Sequence, residues 1–152
     1  MLLPITLTIA GAAALLHIWL SVRVSQLRWR HRVSVGDKGN EAVLTRMRTH
    51  ANFAENMPIF LILLALLEMA IGSEMWLWGA AIVFIVARIL HVFGMDRKAP
   101  NALRVIGISL SWLVLLVLAG YAIYLSYAHA SAERPVLVSP IQRAAAPGAP
   151  AA

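Results

Sequence analysis

The chain contains no cysteine. That absence excludes disulfides, a protein thiolate as nucleophile and any cysteine-ligated metal centre. Charge is scarce as well. Only 13% of the 152 residues are Asp, Glu, Lys or Arg, and only seven are acidic, whereas soluble domains carry about 25% charged residues. No glycine-rich phosphate loop is present, and no His/carboxylate set has the spacing of a metal site. These absences remove metal-dependent hydrolysis and nucleotide-phosphate binding from the first rank of functions.

What fills the space is apolar. Hydrophobic residues make up 61% of the chain and the mean hydropathy is +0.76. A span needs about 20 apolar residues, and four segments qualify, at residues 2–24, 41–71, 75–95 and 102–127. The expected fold is an all-α membrane protein, a bundle of four transmembrane helices. The second segment, at about 45 Å, exceeds a hydrocarbon core. Its first half is amphipathic and reads as a helix that projects from the membrane and enters it near Pro58. That proline removes a hydrogen bond to the Ala54 carbonyl and predicts a kink. Glu68 is expected at the far interface. Residues 128–152, rich in Ala and Pro, are expected to form a flexible tail without a function of their own.

The net charge is +6, and 11 of the 13 Lys and Arg lie between Arg23 and Arg104. They sit at the ends of apolar segments, so orientation in the bilayer explains them better than nucleic acid does. The loops after the first and third segments carry most of the positive charge, and the Gly72–Glu74 turn carries none. The positive-inside rule makes those two loops cytoplasmic and both termini external. No charged region precedes the first apolar run, which is therefore expected to be retained as a span. The stretch from Arg23 to Lys38 reads as a cytoplasmic loop meeting anionic headgroups, with a phosphate or carboxylate site as the sharper alternative.

Polar residues inside the apolar pattern carry the functional signal. Arg48, Asn52 and Glu55 fall at i, i+4 and i+7 and share one helix face. A cation, an amide and a carboxylate at the mouth of a membrane helix should face protein or a polar ligand. A self-satisfied Arg–Glu cluster is the plainer reading. Arg88 and His91 share a face of the third segment, and Arg97 and Arg104 flank the start of the fourth. His17 reads as a helix-packing hydrogen-bonding group. The cytoplasmic end thus collects Arg28, Arg48, Asn52, Glu55, Arg88, His91, Arg97 and Arg104 from all four segments.

The motif Arg48-x-His50-x-Asn52-x-x-Glu55-x-x-Pro58 resembles the second-segment signature of the MAPEG family, the membrane-associated proteins of eicosanoid and glutathione metabolism. Arg28-x-x-x-Arg32-Val33-Ser34 is similar to that family's basic exit from its first helix, and Arg88-x-x-His91 to its third-segment motif. Arg97 or Arg104 resembles its arginine at the start of the fourth helix. The resemblance covers residues 1–127. It implies a homotrimer that binds glutathione as co-substrate between subunits near the cytoplasmic face of a bacterial inner membrane. Arg28, Arg48, His50, Asn52, Glu55, Arg88 and His91 become expected glutathione contacts, and Arg97 or Arg104 the expected thiol activator. The expected chemistry is metal-free conjugation to a lipophilic electrophile, or peroxide reduction. Expected partners are membrane lipid, an apolar second substrate and other copies of the chain, with no nucleic acid. Met95 and Asn56 stand where some eicosanoid-making members carry tyrosines, which argues against eicosanoid synthesis. Two rivals remain: a non-catalytic membrane protein with an anion pocket, and a small-molecule transporter.

Overall fold

The computed structural model describes residues 2–98 and 100–132 of the chain. Four helices follow one another: α1 at Pro4–Arg30, α2 at Glu41–Ile71, α3 at Met75–Met95 and α4 at Ala102–Ala132. All four are long and apolar enough to cross a membrane. Residues 2–122 form one packed unit. The last turns of α4, from Ile123, fall in a second unit, where the Ser131 hydroxyl donates to the Tyr127 carbonyl at 2.9 Å.

Each helix end has a chemical reason. Pro4 opens α1, where its missing N–H costs nothing. The next two amides are capped from a distance. Glu68 accepts from the backbone N–H of Ile5 at 2.9 Å and of Thr6 at 2.8 Å, from the Thr6 hydroxyl at 2.7 Å and from the Ser73 hydroxyl at 2.8 Å. The carboxylate is buried inside the protein at the helix ends. Four donors and the positive end of a helix make that burial tolerable.

α1 does not stop at Val24 but runs to Arg30. Arg28 and Arg30 occupy its last turn, where cations complement the exposed carbonyls and long stems reach the interface. Basic residues there extend a helix rather than end it. The helix closes in a Schellman turn: the Arg32 N–H donates to the Trp29 carbonyl at 3.2 Å and the Val33 N–H to the Arg28 carbonyl at 2.9 Å. Arg32 takes the left-handed position, φ 53°, that glycine usually fills.

Asn40 caps α2 by accepting from the Val43 N–H at 3.1 Å. α2 remains a continuous helix through Pro58 and ends at Gly72, φ 84°. Asn101 opens α4, its side-chain oxygen accepting from the Leu103 N–H at 2.9 Å. α4 continues past the expected end at Tyr127 to Ala132, through the helix-forming alanines Ala128, Ala130 and Ala132. Residues 133–152 of the expected tail lie outside the described residues.

Apolar positions such as Leu15, Ile18, Ile62 and Leu116 are exposed, which a bilayer or an apolar neighbour tolerates and water does not. The interior is held by Phe60 stacked on Phe84 with ring centroids 3.8 Å apart, among Leu20, Leu64, Leu77 and Leu118. At the basic end, Asp96 pairs with both Arg23 of α1 and Arg46 of α2, tying α3 to both. α3 and α4 meet backbone to backbone. A Cβ on Gly107 would lie 2.5 Å from the His91 nitrogen, and one on Gly94 would fall inside the Arg104 backbone.

Candidate functional site

On α2, the helical period brings Arg48, Ala51, Asn52 and Glu55 to one wall. α3 contributes His91 and Met95. α4 contributes Arg104, Ile108 and Trp112, again one face at i, i+4 and i+8. Together they line a pocket of about 480 Å³. Arg104 and His91 reach it because the glycine seam lets α3 and α4 approach so closely. The His91 Nδ1 sits 3.3 Å from the Arg104 carbonyl oxygen, which fixes the ring against α4.

Behind this pocket lies Arg88, the largest fully buried side chain among the described residues at 1% exposure. Its guanidinium donates to the Asn52 side-chain oxygen and, at 3.4 Å, to the Ser111 hydroxyl. The Ser111 hydroxyl in turn donates to the Gly107 carbonyl at 2.8 Å. The Arg88 Nε is buried with no acceptor. Asn52 is therefore held in place by a cation that has no carboxylate of its own among the described residues.

Arg48 and Glu55 are exposed on the chain, and neither makes an ion pair among the described residues. The two ion pairs there both end on Asp96. Arg48, Arg88 and Arg104 set three guanidiniums against the single carboxylate of Glu55, so the pocket is net positive. Such a lining has the chemistry to hold an anion that also offers hydrogen-bond donors.

Three expected site residues stand elsewhere within the chain. His50 turns toward α1, its Nε2 3.0 Å from the Ser21 hydroxyl and its ring 4.5 Å from that of His17. Arg28 extends to the Met47 sulfur at 3.5 Å and lines a different cavity. Arg97 is exposed in the α3–α4 loop and does not line the pocket. Sequence reasoning also passed over residues that do belong. Ile108, Trp112 and Ser111 follow Arg104 at helical spacing, a signal that could have placed them. Nothing in the sequence marked Asp96 as the partner of Arg23 and Arg46.

A family model described as the MAPEG family matches residues 6–124. The inner membrane protein YecN of Escherichia coli strain K12 is 33% identical over 110 residues, which cover 72% of this chain and 82% of that protein. The protein of the same name from Escherichia coli O6:H1 strain CFT073 matches with the same figures.

Proposed function

The chain belongs to the MAPEG family, and from that membership we propose that its polar pocket binds glutathione and activates the thiol for attack on a lipophilic electrophile or a peroxide. Four apolar helices and an inner-membrane relative support an integral inner membrane protein. The observation that carries the reading is the net-positive pocket formed by Arg48, Asn52, Glu55, His91 and Arg104.

Glutathione is net anionic at neutral pH, with two carboxylates, an ammonium and peptide groups. Arg48 forks onto a carboxylate, which arginine does better than lysine. Glu55 accepts from the ammonium. Asn52, oriented by Arg88, meets a peptide group. A thiol is mostly protonated near neutral pH, and a fixed cation beside the sulfur favours the thiolate. Arg104 takes that part, because it lines the pocket and Arg97 does not. Met95, Ile108 and Trp112 give the pocket an apolar side, where an electrophile arriving from the bilayer meets the sulfur. Arg28 and His50 stand outside this reading. Three copies of the chain assemble so that a neighbour covers the exposed Arg48 and Glu55, with the pocket on the cytoplasmic side.

The test is glutathione binding to the purified protein in detergent, with thiolate formation followed by ultraviolet difference absorbance. Arg48→Ala and Glu55→Ala each weaken binding at least about tenfold. Arg104→Ala spares binding and suppresses the thiolate signal. Lys98→Ala is the control. If Arg48→Ala and Lys98→Ala lower affinity by the same small factor, the proposal fails.

A further inference from the structure

α3 is the shortest of the four helices. Its 21 residues span about 30 Å, the thickness of a hydrocarbon core and no more. α1 with 27 residues and α2 with 31 overshoot that thickness. The basic end of α3 therefore has no turn of its own beyond the apolar layer and is held from the side. Asp96, the first residue past that end, does the holding. Its carboxylate accepts from the Arg23 Nη2 of α1, and the Arg46 Nη1 of α2 donates to its two oxygens at 2.9 and 3.2 Å. The three side chains are only 14%, 22% and 26% exposed, so salt screens them weakly.

A second link closes the ring. The Arg23 guanidinium lies over Trp19, 4.6 Å from the ring centroid, and Trp19 packs against Phe93 of α3 with centroids 6.4 Å apart. Trp19 and Arg23 are one turn apart on α1, as Phe93 and Asp96 are at the end of α3. An ion pair and an aromatic pair one turn apart fix an angle as well as a distance.

The polar pocket begins beside this clasp. Arg46 stands two residues before Arg48, and Asp96 directly follows Met95. Arg48 and Met95 belong to opposite walls of the pocket. One wall is α2. The other is α3 with α4, which the glycine seam makes a single piece: Gly94, two residues before Asp96, lies against the Arg104 backbone. What Asp96 grips therefore carries Arg104 with it.

We propose that Asp96 is a positioning residue for thiol activation. The inference rests on the glutathione reading above. The clasp holds the α3–α4 piece at the distance from α2 at which Arg104 reaches the sulfur of a ligand anchored by Arg48 and Glu55. A displacement of about 1 Å between the walls is enough to part a bound thiol from its activating cation. The anchoring contacts lie on α2 itself, so opening the clasp costs activation far more than affinity.

The test measures thiolate per bound glutathione alongside the spacing of the two walls. Because the chain has no cysteine, Leu44→Cys on α2 and Val105→Cys on α4, both exposed positions, can carry spin labels, with labelled chains diluted among unlabelled ones. Asp96→Asn lowers thiolate per bound glutathione at least about tenfold, leaves affinity within about a factor of three, and widens the label-to-label distances. Arg46→Gln, a milder cut, moves both readouts the same way. Asp96→Glu keeps the charge and retains most of the signal. Adding Arg46→Gln to Asp96→Asn takes nothing more away, because the clasp is already open. Lys98→Gln, in the same loop, changes neither readout. An unchanged thiolate yield in Asp96→Asn, or a lost yield at unchanged distances, overturns the proposal. So do independent losses in the double variant. A wild-type chain that binds no glutathione removes the polar-pocket reading and this inference together, whereas normal binding with a yield indifferent to Asp96 removes this inference alone.

Discussion

Arg88 is a guanidinium at 1% exposure whose charge meets no carboxylate among the described residues. Its two neighbours therefore matter unequally. Asn52→Ala takes away the stronger of its bonds and strands the cation, at a cost of about 1.5–3 kcal/mol. Arg88→Met removes the desolvated charge together with the need for a partner, and is expected to be close to neutral. Thermal unfolding in detergent separates the two, and equal losses would show that the charge is not the issue. Arg32 gives the opposite kind of prediction. Its φ of 53° is uphill for any side chain, so Arg32→Gly should raise stability by about 1 kcal/mol, read from the same melting curve. At this scale part of the site was readable from spacing. The stripe of Arg48, Asn52 and Glu55 follows from the helical period. The same period sets His50 about 200° around the helix from Arg48, where it faces His17 and Ser21 of its own chain. A motif that names both residues hides that angle.

The seam between α3 and α4 is where one methyl group decides geometry. Gly107→Ala would put a carbon 2.5 Å from the His91 nitrogen and 2.7 Å from the Ala87 carbonyl. Neither backbone can yield locally, so the helices must separate and carry His91 and Arg104 apart. The expected result is a protein that still binds glutathione through α2 but no longer forms thiolate, seen in the difference absorbance. The cap on α1 is the second lever. Glu68→Gln keeps the shape but cannot accept as well from four donors. Glu68→Ala leaves two α1 amides without their acceptor and should cost about 2–3 kcal/mol, measured by thermal unfolding. Apolar length made the four helices readable, because a bilayer imposes it. Their ends were less so. Arginines at the end of α1 looked like a loop because charge was weighed and the carbonyls awaiting it were not. The choice between Arg97 and Arg104 could not be read at all, since the glycine seam that aims Arg104 exists only once two helices pack.

For the molecule as a whole, the charge pattern predicts an orientation that reporter fusions can read. A reporter that works only outside the cytoplasm should be active at residue 73 and silent at residue 35. The reverse would turn the polar pocket outward. Mass measurement in detergent should give three chains, and a monomer that still binds glutathione would remove the need for a neighbour over Arg48 and Glu55. The basic end could be assembled on paper from sequence because positive charge marks one side of a membrane. Its clasp could not, because the pairing of Asp96 with Arg23 and Arg46 joins residues that no local pattern relates. Arg88 also bears on how the chain is made. An arginine near the middle of an isolated helix costs about 2.5–3.5 kcal/mol to insert. When α3 leaves the ribosome, Ser111, 23 residues further on, has yet to emerge, while Asn52 lies 36 residues behind. α2 must therefore still be alongside when α3 partitions into lipid, holding the arginine until α4 arrives. On that account a chain cut before Ser111 should keep α3 in the bilayer while Asn52 is present and lose more of it when Asn52 is replaced by alanine.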